Sequence, residues 1–294
     1  MINFRYHVVS IIGIFIALAV GVVLGAGPLQ RSINAGMNPS SSQAASDPVL
    51  SAQAEAEAAG LKALASSTLT GSLTGTSVAL VVLPGASDDD VSAIRSTLTD
   101  AGASVVGRVT LTDNWQSTSM SQYRTTLATT LASHLESGAA KTASADGVVG
   151  YSILQVLTST GAETDLLRQI LTDKSTPLMT IDEDPAGKAT TVVAVGARAQ
   201  AATSTQAAVA ASSDAWIGLG LAVGSTSGVV VGDASSREAM ISQIRTSGTA
   251  VTTVDSVGTT LASVDTALAL STASNGARAY GVGNGAQSVI PSIK

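Results

Sequence analysis

An almost unbroken apolar run from Val8 to Leu29, preceded by Arg5 and His7 and closed by Arg31, constrains this chain more than any other feature. At about 1.5 Å of rise per helical residue, some 20 apolar residues cross a bilayer core of roughly 30 Å. Signal peptides carry shorter apolar cores, about 7–15 residues, ending in a small-x-small cleavage site. The length therefore predicts an uncleaved membrane anchor over residues 1–31, with a cut after Gly25 (Val23 and Gly25 at the −3 and −1 places) as the alternative. The short flank bearing Arg5 stays cytoplasmic by the positive-inside bias, which predicts a single-pass protein of the cell membrane with an extracytoplasmic body. Within the span, Gly13, Ala17, Gly21 and Gly25 recur every four residues. That spacing lines small residues along one helix face, where a second copy or another membrane helix can approach closely.

Beyond the anchor, residues 32–76 read as a linker and a helical stalk, and residues 77–294 as a folded body. Ser32 to Asp47 is rich in Ser, Asn, Ala and Gly, the composition of a flexible linker. Asp47-Pro48 predicts a helix start, with Asp47 as cap and Pro48 at the first helical position. Leu50, Ala54, Ala58, Leu61 and Leu64 put a thin apolar stripe on that helix, which stops before Gly71. Glu57 interrupts a strict heptad, so a short coiled coil and a single helix packed on its own body are both open.

The body alternates strands and helices. Ser77 to Leu83 is short, β-branched and wholly apolar, as a strand buried on both faces must be. Ser87 followed by Asp90 predicts a capping box, and Val91, Ile94, Leu98 and Ala101 line the helix behind it. Ser104 to Leu111 resumes strand character, completing a βαβ unit with a right-handed crossover. Helices are predicted around Tyr123–Leu135, Val149–Leu157, an Ala-rich stretch before Val229, Ala239–Ile244 and Leu261–Leu268. Strands are predicted at Leu178–Asp182, Thr190–Val195, Val229–Val231 and Val251–Val254. The fold class is α/β, a Rossmann-like body with a mostly parallel sheet, as one sheet or as two small half-sheets, the single sheet being the favoured arrangement.

Composition narrows the chemistry. Cysteine is absent, which removes disulfides, thiolate metal sites and cysteine nucleophiles together. The net charge is −6, of which +2 lies in the first 31 residues, so the remainder carries −8. An acidic body without a basic stripe argues against nucleic acid as a partner. The first strand-to-helix loop, Pro84 to Asp90, lacks G-x-G-x-x-G and ends in three carboxylates, which disfavours a nucleotide. Asp88, Asp89 and Asp90 could attract a hard cation, but acids at a helix start are the ordinary dipole-favoured choice. Gly281, Gly283 and Gly285 alternate near the end of the chain without the strand, helix and lysine of a phosphate loop, and read as a turn or glycine-rich edge. His7 and His134 have no second ligand at zinc spacing, and Met37, Met120, Met179 and Met240 are isolated. No nucleophile–base set emerges, so the expectation is a non-enzymatic protein with no identifiable cofactor.

Several segments resemble the actinobacterial MctB-type "copper transporter" family. They are Met1–Ser10, Ile14–Gly25, Ser77–Ala86, Gly107–Asp113, Thr253–Val257 and Tyr280–Gly283, in the family's order over nearly the whole chain. The stalk matches least. The resemblance implies a membrane-anchored envelope protein of copper transport or copper homeostasis, the role tied to mycobacterial members described as outer-membrane pore proteins. Corynebacterial relatives imply the alternative, an envelope scaffold that regulates cell separation by binding protein partners and controlling a peptidoglycan hydrolase. Copper itself is implied by the resemblance alone, which assigns no metal-binding or catalytic residue. The expected partners are the membrane, through residues 8–29, and a second copy or another protein. Asp255, Tyr280 and Gly281–Gly285, which fall in or beside the matching segments, are candidates for a partner surface.

Overall fold

The computed structural model describes residues 48–199, 210–273 and 276–292. The predicted anchor over residues 8–29, its small residues Gly13, Ala17, Gly21 and Gly25, the linker and the Asp47 cap lie outside them. No helix among the described residues is long and apolar enough to cross a membrane. The chain divides into two compact units, residues 1–53 and 54–294, and the second carries every strand of the sheet.

Helix α1 (Pro48–Leu69) ends where the glycine predicts. Its buried stripe is rotated from the predicted one: Ala65 and Leu69 are buried and Leu61 packs beside them, while Leu50 and Leu64 stay exposed. This last part of the helix lies on the body.

Seven strands form one sheet in the order β3-β2-β1-β4-β5-β6-β7. They are β1 (Ser77–Val82), β2 (Ser104–Leu111), β3 (Met179–Glu183), β4 (Thr191–Val195), β5 (Val229–Val231), β6 (Thr252–Val254) and β7 (Ala279–Tyr280). All neighbours run parallel except β3, which is antiparallel to β2. As an edge strand, β3 exposes Thr180 and Asp182, polar side chains that discourage further pairing.

Alternation along the central strands feeds two cores. Ala79, Val81, Val192, Ala194 and Val230 face one side. There they meet α4 (Ser121–His134), α6 (Ala145–Thr158), α7 (Ala162–Leu171), α8 (Ser213–Ser225) and α9 (Met240–Thr246). Val78, Leu80, Val82, Val193, Val195, Val229 and Val231 face the other side, against α1, α2 (Asp88–Asp100) and α10 (Thr260–Ser271). Short helices α3 (Asp113–Gln116) and α5 (Gly138–Lys141) flank α4. Helix α7, with Leu167 and Leu171 four apart, is not among the predicted helices although its spacing is helical.

The capping box at α2 does not form. Ser87 is the N-cap residue, but its side chain makes no capping bond, and the Asp90 carboxylate is taken by Arg198.

Chain direction and helix placement fix the handedness of each crossover. β1-α2-β2 advances toward β3 over one face; β4-α8-β5 and β5-α9-β6 advance the opposite way over the other face. Those three share one hand. β6-α10-β7 advances with the latter two but crosses on the α2 face, so its hand is opposite, the left-handed exception to the general rule. In the turn before α10, Ser256 and Gly258 both have positive φ (61° and 91°).

Candidate functional site at the carboxyl end of the sheet

Parallel order brings the carboxyl ends of β1, β4, β5, β6 and β7 to one crest. Chain connections diverge there between β1 and β4, the switch point at which doubly wound folds bind ligands. Here the chain fills that point itself. Arg198, just after β4, donates from Nε (2.7 Å) and from a terminal nitrogen (2.5 Å) to the two oxygens of Asp90, in the first turn of α2. Asp90 is 4% exposed. Gly258, at a φ of 91°, lies directly beneath the Arg198 side chain, and a Cβ there would push the guanidinium off the β6–α10 turn. The other acids have separate surroundings: Asp88 accepts from Arg108 at 2.6 Å, and Asp89 lines a cavity of about 690 Å³ between α1, α2 and α10.

A second closure is built on Asp255, which follows β6 and is 1% exposed. Its Oδ1 accepts from Val282 N–H (2.8 Å) and the Ser256 hydroxyl (2.7 Å). Its Oδ2 accepts from Gly283 N–H (2.9 Å) and from Arg245 (3.0 Å). Two successive backbone N–H groups converging on an anion form a nest of the kind phosphate loops present to ligands. The occupant is the chain's own carboxylate. A Cβ on Gly281 would come 2.1 Å from Asp255 Oδ1, and its φ of 121° is closed to ordinary L residues. The Gly281-Val282-Gly283 spacing thus does let the backbone approach an anion closely, but the anion is internal.

Arg245, on α9, ties the assembly together. It donates to Thr253 Oγ1 (2.9 Å), to the Asn284 carbonyl (2.7 Å) and to the Tyr280 carbonyl (2.8 Å), besides Asp255. Burial pushes Asp255 up, but Ser256, the Val282 and Gly283 amides and Arg245 outweigh it and hold the carboxyl below its ordinary range. Burial pulls Arg245 below its usual value, opposed by Asp255.

Asp265 on α10 contrasts with both. Its side chain is fully buried, and neither carboxyl oxygen has a hydrogen-bond partner. Burial, with the charge of Asp255 adding to it, pushes this carboxyl up to about 7.

The structure therefore brings Asp255, Tyr280, Gly281 and Gly283 together, yet as an internal closure: Asp255, Tyr280 and Gly281 are buried, while Val282 (69% exposed), Asn284 and Gly285 face solvent. His134, at the end of α4, pairs with Glu163 at 2.6 Å, away from the crest residues. Met179 and Met240 are buried at separate places on the same face of the sheet. His7 and Met37 lie outside the described residues. Among the described residues, no group of three or more His, Cys, Asp or Glu side chains is placed to hold a metal ion. Sequence reasoning missed Arg198, Arg245 and Asp265. Only Asp265 carried a local signal, as the sole charge in the otherwise apolar and hydroxyl run Thr260–Ser271.

No curated protein matches the chain. The family described as "Copper transport outer membrane protein, MctB" matches residues 1–291, the span over which the sequence resemblance is distributed. With nearly its whole length covered, the chain belongs to the MctB family.

Proposed function

We propose that this chain is a single-pass envelope protein acting in copper homeostasis, with a non-catalytic binding module as its α/β body. In this reading residues 8–29 hold it in the membrane, the N-terminus is cytoplasmic and the body lies outside. The observation that carries the non-catalytic part is the crest. Where such folds grip a phosphate, this one sets Arg198–Asp90 across the switch point and Asp255 inside the glycine nest. A nucleotide would have to displace buried, paired carboxylates, each held by charge-assisted bonds worth about 1.5–3 kcal/mol apiece.

The family description supports the copper role. Copper is cargo here, and the described residues supply no ligand set that fits it. The sheet is open, with edges at β3 and β7, and helices cover both faces, so the body of one chain does not enclose a pore. We therefore assign the copper role to an assembly with further copies or other proteins, for which Gly13, Ala17, Gly21 and Gly25 offer a packing face in the membrane.

The test is cell-associated copper in a deletion strain and its complemented parent, grown across a copper series. Excess copper in the deletion, restored by complementation, supports the reading. Unchanged copper would overturn it and leave the partner-binding scaffold of cell separation as the function to pursue.

A further inference from the structure

The cavity of about 690 Å³ between α1, α2 and α10 falls within the size range of clefts that take small ligands, about 300–1,000 Å³. Its floor is apolar: Ala65, Leu69, Ile94 and Val264 are buried. Its walls are polar, and much of their hydrogen-bonding capacity is unspent. Ser263 of α10 lines the cavity while only 6% exposed, and its hydroxyl has no partner among the described residues although it is not sealed from solvent. That hydroxyl is satisfied only by what occupies the cavity.

Asp89 and Asp100 stand about three turns apart on one face of α2, roughly 16 Å along its axis, so a carboxylate marks each end of the trough. Asp100 is the last residue of α2, where the helix dipole disfavours an acid. Among the described residues neither carboxylate forms an ion pair, and neither does Lys62 of α1, on another wall. The hydroxyls of Ser66, Thr70 and Thr97 donate to carbonyls of their own helices, those of Lys62 (2.9 Å), Ser66 (2.6 Å) and Ala93 (3.0 Å). Toward the cavity they are left as acceptors.

This lining selects its ligand by elimination. An apolar molecule would strip water from the polar walls without replacing it, at about 1–3 kcal/mol for each group and more for a charge. An anion would meet two unpaired carboxylates against one free lysine. A polycation would meet Lys62 and the Arg198 guanidinium, whose side chain is 53% exposed at the same cavity. What fits is a neutral molecule rich in O–H donors, with acceptors for Lys62 and an apolar face for the floor.

We propose that this cavity binds a short oligosaccharide. Asp89 and Asp100 accept from sugar hydroxyls at either end, Lys62 donates to a sugar oxygen, Ser263 bonds a hydroxyl from α10, and the C–H face of a ring lies on Leu69 and Ile94. Each sugar ring brings several hydroxyls that both donate and accept, whereas an extended peptide brings one backbone N–H per residue to walls rich in acceptors. The site is separate from the Asp255 nest and stands whether or not the chain handles copper.

The experiment uses the full-length chain in phospholipid nanodiscs, which carry no sugar headgroups. Maltose, cellobiose and N,N′-diacetylchitobiose are each titrated to tens of millimolar, with spermidine as the cationic comparison. NMR follows the amides of Ser96 and Ser263, both of which line the cavity. The expected result is a saturable shift of both amides with at least one disaccharide. Asp100→Asn should weaken that disaccharide about tenfold, through loss of one charge-assisted bond, while Asp233→Asn at the crest should leave it unchanged. No saturable shift with any of the three overturns the proposal, and this outcome is read on the unaltered chain. Spermidine binding more tightly than every disaccharide overturns it too, as does disaccharide binding that is unchanged in Asp100→Asn or lost in Asp233→Asn.

Discussion

Gly281→Ala puts a methyl group where the Asp255 carboxylate already sits. The added Cβ would lie 2.1 Å from Oδ1 and 2.2 Å from the carboxyl carbon, on a residue whose φ is 121°. Backbone strain in that region costs about 1–3 kcal/mol. Relieving the overlap means lifting the loop away from Asp255, which forfeits the bonds from Val282 and Gly283 to a charged acceptor, each worth about 1.5–3 kcal/mol. Partial relaxation keeps these from adding fully, so the expected loss of stability is about 4 kcal/mol. Gly248→Ala is the control: it too has positive φ (73°), but its Cβ would meet nothing within 4 Å, so it bears strain alone, about 1 kcal/mol. Urea unfolding of the full-length chain, followed by the fluorescence of buried Trp115, reads both. If Gly281→Ala costs no more than Gly248→Ala, the loop does not wrap Asp255, and the self-occupied nest is wrong.

Three further substitutions probe charges that the fold encloses. Asp265 has a folded value near 7 against an ordinary 3.8, so the native state keeps a proton that the unfolded chain releases. Stability from this group therefore falls as pH rises, by about 1.4 kcal/mol per unit from about pH 4 to 7, up to about 4 kcal/mol in all, and is level above. The difference between wild type and Asp265→Asn in Tm against pH should show that slope. Arg124→Met should cost about 3–5 kcal/mol in urea unfolding, because Arg124 is fully buried and its loss strands Asp146 and the Ser117 carbonyl. Arg198→Gln should cost about 2 kcal/mol by the same assay, since it leaves Asp90 buried without its guanidinium; exchange protection at Val282 should be unchanged.

Much of the fold was legible because its signals are local. Apolar runs such as Ser77–Val82 and Thr191–Val195 are strands by composition alone, and Val91, Ile94 and Leu98 declare a helix by spacing. Two-residue β7 has no such signal; it is a strand only because β6 lies beside it. The predicted capping box failed for a related reason. Asp90 could serve Ser87 nearby or Arg198, 108 residues away, and the charged partner wins. The crest was half legible. Glycine spacing marked a turn or glycine-rich edge, but nothing local said that its backbone closes on the carboxylate of Asp255, 26 residues earlier than Gly281. Arg124 stayed hidden because its partner is Asp146 on α6, so a residue that looks solvent-facing in α4 is enclosed once α6 packs against it.

The claim that the crest is closed from within is tested most directly by titrating the full-length protein with NADH, ATP and inorganic phosphate in a calorimeter, with NMR shifts of Val282 and Gly283 recorded alongside. The account predicts no saturable heat and no movement of either amide. Saturable binding of any of the three that shifts Val282 and Gly283 would show that the nest is open to an external anion, and the non-catalytic reading of the body would fall.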